Sequence, residues 1–306
     1  MKKTLLAVFS VILILALTAC GGNGGNSDNN AADNTNSDTN TATEKQVLKI
    51  GAIPDQNASD LNRSFGAMAD YLSEKTGLQV EYVPSVDYAA LITAFQRGEI
   101  QLGWFGGLTG VQVRNVVPEA EAIVQRPRDE QFHSVFIAQS DLQIDSLEDL
   151  KGLSFTFGSE SSTSGHLMAR YFMEEAGINP DLDLDGAPNY SGSHDKTYKL
   201  VESGAFQTGA LNEAVWETAV AEGKVDTNKV KVFYTTPPYF DYHWVVGNVD
   251  EVYGEGTKDK LKQALLSMNE EQKDILDLFA TDKFIETKNE NYSAIEKVAK
   301  ELGIIK

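Results

Sequence analysis

Four segments of this 306-residue chain carry residue types that could bind or transform a small anion. The first is Ser161-Ser162-Thr163-Ser164-Gly165, set between an apolar run ending at Phe157 and a helix-patterned stretch. Hydroxyls at a helix start sit beside N–H groups that lack internal partners and carry partial positive charge. Such a run can cradle an oxyanion without a lysine, and Gly165 lets the backbone approach it. A serine nucleophile and a plain helix cap are the other roles open to it. The second segment, Ser191-Gly192-Ser193-His194-Asp195, repeats the theme. Here His194 can donate to an anion while Asp195 orients it or caps the helix. In the third, Asp87 reads as an N-cap, which puts Tyr88 in the first helical turn with its hydroxyl within reach of a cleft. The fourth, Trp104-Phe105-Gly106-Gly107, ends a strand, where open α/β sheets bind ligands. Its glycines would expose N–H groups, and Trp104 and Phe105 would wall a pocket.

Enzyme signatures are missing around these segments. The serine run has no Gly-x-Ser-x-Gly pattern, so a nucleophile elbow is unsupported. Ser193-His194-Asp195-Lys196 and Lys75-Thr76-Gly77 match two β-lactamase motifs, but in reversed order and without Ser-Asp-Asn. No phosphate-binding Gly-x-x-x-x-Gly-Lys-Ser/Thr loop occurs. The four histidines (His133, His166, His194, His243) show no metal-ligand spacing, so neither a metal site nor a cofactor is expected.

The elements that must position these residues alternate between strand and helix. Residues 47–53 read as a strand. Ser59 and Asp60 cap a helix bearing Leu61, Phe65, Met68 and Leu72 on one face. A strand at 79–83, a helix at 87–97 and a strand at 100–104 follow. After a strand at 135–138 the pattern restarts with a short capped helix at 146–152, a strand at 153–157 and a helix at 164–176. Further helices begin near Ser193 and Asn212, strands cover 230–234 and 244–246, and the tail from Thr257 is helical. Such alternation predicts an α/β fold with parallel sheets in two lobes.

The N-terminal residues read as an export signal. Lys2 and Lys3 precede an apolar stretch over 4–19 that is short for a membrane span. It closes in Leu17-Thr18-Ala19-Cys20, a bacterial lipobox whose cysteine is the only one in the chain. Acylated Cys20 would hold the protein on a membrane, at about 0.8 kcal/mol per buried CH2 group. Residues 21–43 are Gly, Asn, Ser, Asp, Thr and Ala without hydrophobic period, the composition of a flexible tether. Loss of Lys2 and Lys3 takes the formal charge from −19 to −21. A body so acidic is a poor partner for nucleic acid.

Across residues 47–306 the chain resembles the substrate-binding proteins of phosphate/phosphite/phosphonate-type ABC importers. The resemblance rests on Asp87-Tyr88-Ala89-Ala90, Trp104-Phe105-Gly106-Gly107, the segment 146–152 (Ser-Leu-Glu-Asp-Leu-Lys-Gly), Ser162-Thr163-Ser164-Gly165 and Ser193-His194-Asp195, in that order. It implies a type II periplasmic-binding fold, with two lobes joined by two crossing strands and ligand in the cleft between them. It also implies that Tyr88, Ser162, Thr163, Ser164 and His194 bind the oxyanion. Ile53-Pro54-Asp55 and the runs 131–136, 157–162 and 210–216 are similar to a subgroup labelled selenate-binding. Phosphonate binders with aminoalkyl ligands use a cleft carboxylate for the amine, and Asn212 or Asp241 stands near that region.

Residues 1–19 are expected to form the signal peptide, and 20–46 the lipidated cysteine and tether. Lobe 1 comprises 47–134 with 241–306, and lobe 2 comprises 135–240. The ligand site draws on Tyr88, Trp104, Phe105, Gly106, Ser161, Ser162, Thr163, Ser164, Gly165, His194 and Asn212. The expected function is a monomeric, membrane-anchored receptor outside the cytoplasm. It would capture a small tetrahedral oxyanion for permease and ATPase subunits. A selenate receptor and an amino acid or sulfonate binder of the same fold are alternatives. A secreted hydrolase pairing Ser193, or a serine of the 161–164 run, with His194 is the competing class.

Overall fold

The computed structural model describes residues 46–306; the export signal, Cys20 and nearly all of the tether lie outside the described residues. The chain first lays down β1 (Leu48–Ala52), β2 (Val80–Tyr82), β3 (Leu102–Phe105) and β4 (Glu121–Gln125). It then crosses to a second sheet and adds β5 (Ser134–Gln139), β6 (Phe155–Phe157), β7 (Asn189–Tyr190), β8 (Thr208–Asn212) and β9 (Val230–Thr235). It returns to complete the first sheet with β10 (His243–Val246) and β11 (Ile285–Glu286). The sheet orders are β11-β4-β10-β3-β1-β2 and β7-β6-β8-β5-β9. This is the two-lobed type II periplasmic-binding architecture.

Both sheets are mixed, not parallel as the alternation predicted. β10 runs antiparallel to β3 and β4, and β5 antiparallel to β8 and β9. The cause is the double crossing, because a strand that re-enters a sheet from the other lobe arrives reversed. β10 (His-Trp-Val-Val) is buried at all four positions, which suits its place inside the sheet.

The two crossings are paired with each other. Phe132 and Tyr239 exchange both backbone hydrogen bonds, at 2.8 and 3.0 Å, and the Asp241 N–H donates to the Asp129 carbonyl at 3.0 Å. Arg126 anchors the first crossing. Its guanidinium grips both Asp129 oxygens at 2.7 Å and gives a third hydrogen bond to the Phe279 carbonyl. Trp104, Phe132 and Tyr242 surround that guanidinium with their rings.

The first helix, α1 (Ala58–Thr76), is capped by Asn57, whose side chain accepts from the Asp60 N–H, rather than by Ser59 or Asp60 as expected. Five further helix starts open on the cleft between the lobes. Two belong to α2 (Tyr88–Gln96) and α3 (Gly107–Val116) of the first lobe. The second lobe supplies a π-helical turn (Thr163–Leu167) leading into α4 (Met168–Glu175), then α5 (His194–Glu202) and α6 (Glu213–Ala221). The helix expected at 164–176 thus begins with the π turn, which widens the first turn around the hydroxyl run.

Candidate functional site

The site lies where the carboxyl ends of β1, β3, β6 and β8 meet between the lobes. This is the position that α/β topology reserves for ligands. Each contributing segment enters through a helix N-cap. Asp87 Oδ1 accepts from the Ala90 N–H at 2.7 Å and sets α2, placing Tyr88 in its first turn. Gly106 caps α3 with bare backbone. Ser162 caps the π turn, its Oγ accepting from the Gly165 N–H at 2.9 Å. Ser193 and Asn212 precede α5 and α6, and Asn212 Oδ1 accepts from the Val215 N–H at 3.0 Å. Converging N-termini concentrate partial positive charge on one small volume.

The side chains there are buried. Tyr88, Ser162, Thr163, Ser164, His194 and Asn212 are each at most 3 % exposed. Thr163 reaches across the cleft, and its Oγ1 accepts from the Leu108 N–H of α3 at 3.0 Å. From the other direction, the His194 N–H donates to the Asp55 carbonyl at 2.9 Å. Space between the lobes is tight at two glycines. A Cβ on Gly106 would stand 2.9 Å from Thr163 Oγ1, and one on Gly165 would stand 3.0 Å from the His194 ring and Ser162 Oγ. Tyr88 Oη, Ser164 Oγ and Asp241 Oδ2 are buried with no protein partner. Native interiors rarely leave such groups unpaired, so three orphans around one cleft point to a polar ligand.

Charge states follow from burial. Desolvation pushes His194 down to about 3, so the imidazole is neutral at physiological pH. Its Nδ1 faces the Asn212 N–H at 3.4 Å, which assigns the proton to Nε2 and makes that nitrogen a donor. Burial likewise pushes Asp241 up to about 7 and Asp55 up to about 6. Tyr88 stands well above its usual range, first through desolvation and then through the nearby Asp55 and Asp241, and remains a donor throughout.

Asp241 is held from several sides. Its Oδ1 accepts from the Gly107 N–H at 2.8 Å. Its backbone carbonyl faces His243 Nδ1 at 2.9 Å. Arg114, a donor only, stands 3.0 Å from His243 Nε2, so Nε2 accepts and Nδ1–H donates to Asp241. His243 also stacks on Tyr292 at 3.8 Å between ring centres.

The structure brings together Tyr88, Gly106, Ser162, Thr163, Ser164, Gly165, His194 and Asn212. It separates three residues named with them from the sequence. Phe105 does not wall the cleft. It lies on the opposite face of β3 from Trp104 and packs edge-on against Phe95 in the lobe core. Trp104 stacks on Tyr242 and lines a neighbouring cavity, not the oxyanion donors. Ser161 is only half-buried, and its N–H is taken by the Ser159 hydroxyl. Asp195 accepts from the Ser193 hydroxyl at 2.6 Å instead of orienting His194. Among the described residues no serine hydroxyl hydrogen-bonds His194.

Two residues in the cleft, Asp55 and Tyr242, escaped assignment from the sequence. Tyr242 Oη donates to Asp55 Oδ2 at 2.8 Å and accepts from Asn212 Nδ2 at 2.9 Å. The available signal was an acid preceded by an apolar or aromatic residue just outside a buried strand, as in Ile53-Pro54-Asp55 and Phe240-Asp241-Tyr242.

Residues 50–292 match the family described as "ABC transporter, phosphonate, periplasmic substrate-binding protein". The chain is 41% identical over 271 residues to a probable ABC transporter phosphite binding protein, PhnD1, of Prochlorococcus marinus, covering 85% of this chain and 91% of that one. It is 26% identical to the phosphate-import protein PhnD of Mycolicibacterium smegmatis, over 71% of this chain and 70% of the relative. The structure of PhnD1 in complex with methylphosphonate superposes with a TM-score of 0.82, covering 85% of this chain and 99% of that one.

Proposed function

The chain belongs to the periplasmic substrate-binding proteins of phosphonate ABC transporters, and on that premise we propose that it captures phosphite and methylphosphonate between its lobes for delivery to an importer. The carrying observation is Asp241, a buried carboxylate with one oxygen tied to the Gly107 N–H and the other unpaired. A monoanionic phosphite or phosphonate keeps a P–OH proton that Oδ2 can accept. Its remaining oxygens accept from Tyr88, Thr163, Ser164, His194 Nε2 and the N–H groups at the helix starts. The body's charge of −21 opposes an anion at long range, but salt screens it over about 8 Å. At contact the converging donors win.

The same carboxylate argues against the selenate alternative. Selenate and sulfate have no proton to give at neutral pH, so each must either draw on the Asp241 proton, which burial holds only up to about pH 7, or set an oxygen lone pair against the ionised Oδ2, an unpaired buried contact costing about 1–3 kcal/mol. Calorimetry against phosphite, methylphosphonate, 2-aminoethylphosphonate, phosphate, sulfate, selenate and selenite tests the reading. Phosphite and methylphosphonate are expected to bind more tightly than sulfate and selenate, by about tenfold or more. A panel with no binder among the phosphorus compounds refutes it. The hydrolase alternative has less support, since among the described residues no serine hydroxyl hydrogen-bonds His194, whose Nδ1 faces the Asn212 N–H.

We further propose that acylated Cys20 anchors the mature protein outside the cytoplasm as a single copy, the tether letting the body reach permease and ATPase subunits. The lipobox at 17–20 supports this. No described helix is long and apolar enough to cross a membrane. A Cys20→Ser chain is expected to lose its membrane fraction while keeping ligand affinity.

A further inference from the structure

The three-residue network of Asp55, Tyr242 and Asn212 has two sides. On one side Tyr242 Oη stands 3.4 Å from His194 Nε2, at the edge of the oxyanion donors. On the other lies a cavity of about 140 Å³, lined by Asp55, Tyr242 and Asn212 together with Trp104, Arg126 and Phe65. None of Tyr88, Thr163, Ser164 or His194 lines that cavity. The Tyr242 phenol therefore stands between the oxyanion donors and that cavity.

The phenol is braced. Asp55 holds the hydroxyl from the first lobe and Asn212 from the second. Trp104 stacks on the ring at 5.7 Å, Phe132 meets it at 5.6 Å, and the Arg126 guanidinium sits 5.2 Å from its centre. These contacts oppose a swing of the ring towards the cavity that it lines.

We propose that Tyr242, braced by Asp55 and Asn212, sets the size limit of the site. It accepts a phosphorus oxyanion whose fourth substituent is hydrogen or methyl and denies longer substituents the cavity behind. This rests on the phosphonate reading of the site. The cavity has room for a short alkyl chain, its Trp104 and Phe65 walls suit methylenes, and Asp55, relieved of the Tyr242 proton, would meet a terminal ammonium. In a fitted pocket one methylene too many costs roughly 10–200-fold.

The test is calorimetry on the full chain with phosphite and with methyl-, ethyl-, n-propyl- and 2-aminoethylphosphonate. The unaltered protein is expected to lose about tenfold or more in affinity between methyl- and n-propylphosphonate. Tyr242→Ala is expected to shrink that ratio by about tenfold. Adding Asp55→Asn to Tyr242→Ala is expected to weaken 2-aminoethylphosphonate more than n-propylphosphonate. Should Tyr242→Ala not fold, Tyr242→Leu refills the aromatic nest and is expected to relax the ratio in the same direction. A folded variant with the original methyl-to-propyl ratio overturns the size limit and leaves the phosphonate reading standing. An unaltered protein that binds none of the series overturns the phosphonate reading itself.

Discussion

The Gly107 N–H donates to Asp241 Oδ1 at 2.8 Å, which leaves Oδ2 as the buried, unpaired oxygen of that carboxylate. One backbone amide thus decides which half of the acid is free to meet a ligand. Asp241→Asn replaces an acceptor with a group that can also donate. Affinity for phosphite and methylphosphonate is expected to fall about 10–100-fold, the cost of one hydrogen bond to a charged group. Sulfate and selenate are expected to gain relative to them. Calorimetric Kd values for the four anions check both directions.

The pH dependence follows from the same carboxylate. On the proposed reading the complex holds one proton between Asp241 and the ligand. Burial sets the Asp241 titration at about 7 in the protein, against an ordinary value of 3.8. Above that range neither partner supplies the proton, and affinity is expected to fall by up to about tenfold per pH unit. His194, down at about 3, adds no dependence between pH 5 and 9. In the ligand-free protein the folded state keeps a proton on Asp241 that the unfolded chain releases. That contribution to stability is fully present below pH 3.8 and is lost as pH rises towards 7. Titrating Kd and thermal midpoint from pH 5 to 9, with Asp241→Asn as control, separates the two effects. A flat Kd profile in the unaltered protein would contradict the shared proton.

Thr163→Val keeps shape but removes the oxygen that Leu108 N–H uses across the cleft. Ligand affinity is expected to drop about tenfold or more, since a buried donor is left unpaired when the lobes meet. The isolated fold is expected to survive, because Thr163 caps nothing; that role belongs to Ser162. Binding isotherms and circular dichroism report the two quantities.

Gly106→Ala adds a methyl 2.9 Å from Thr163 Oγ1 and 3.1 Å from Asp241 Oδ1. Thr163 comes from the opposite lobe, so the clash falls on lobe approach more than on folding. Binding is expected to weaken about tenfold or more, with small-angle scattering showing a more open average shape and the thermal midpoint little changed. A variant that binds as well as the original protein would mean that the lobes close less tightly than these distances require.

Much of the site was legible in the sequence because it is built from helix starts. Small polar residues after apolar runs mark helix caps, and Asp87, Ser162, Ser193 and Asn212 all stand at them. Three things were not legible. The direction of β10 was hidden because a wholly buried strand reads the same whether it runs parallel or antiparallel. Trp104 and Phe105 are adjacent aromatics, and only the sheet's orientation decides which one faces the cleft side. Asp55 and Asp241 are single acids whose meaning depends on partners 187 and 134 residues away, Tyr242 and Gly107. No local pattern encodes such a pairing.

The helix starts at the site are divided between the lobes. Those of α2 and α3 ride on the first, and those of the π turn, α5 and α6 on the second. Unloading then becomes a matter of leverage. A permease that pries the lobes apart splits the cradle into two half-shells, each with too few donors to keep the ion. On the proposed reading, the division of the donors between two lobes both holds the cargo and lets it go.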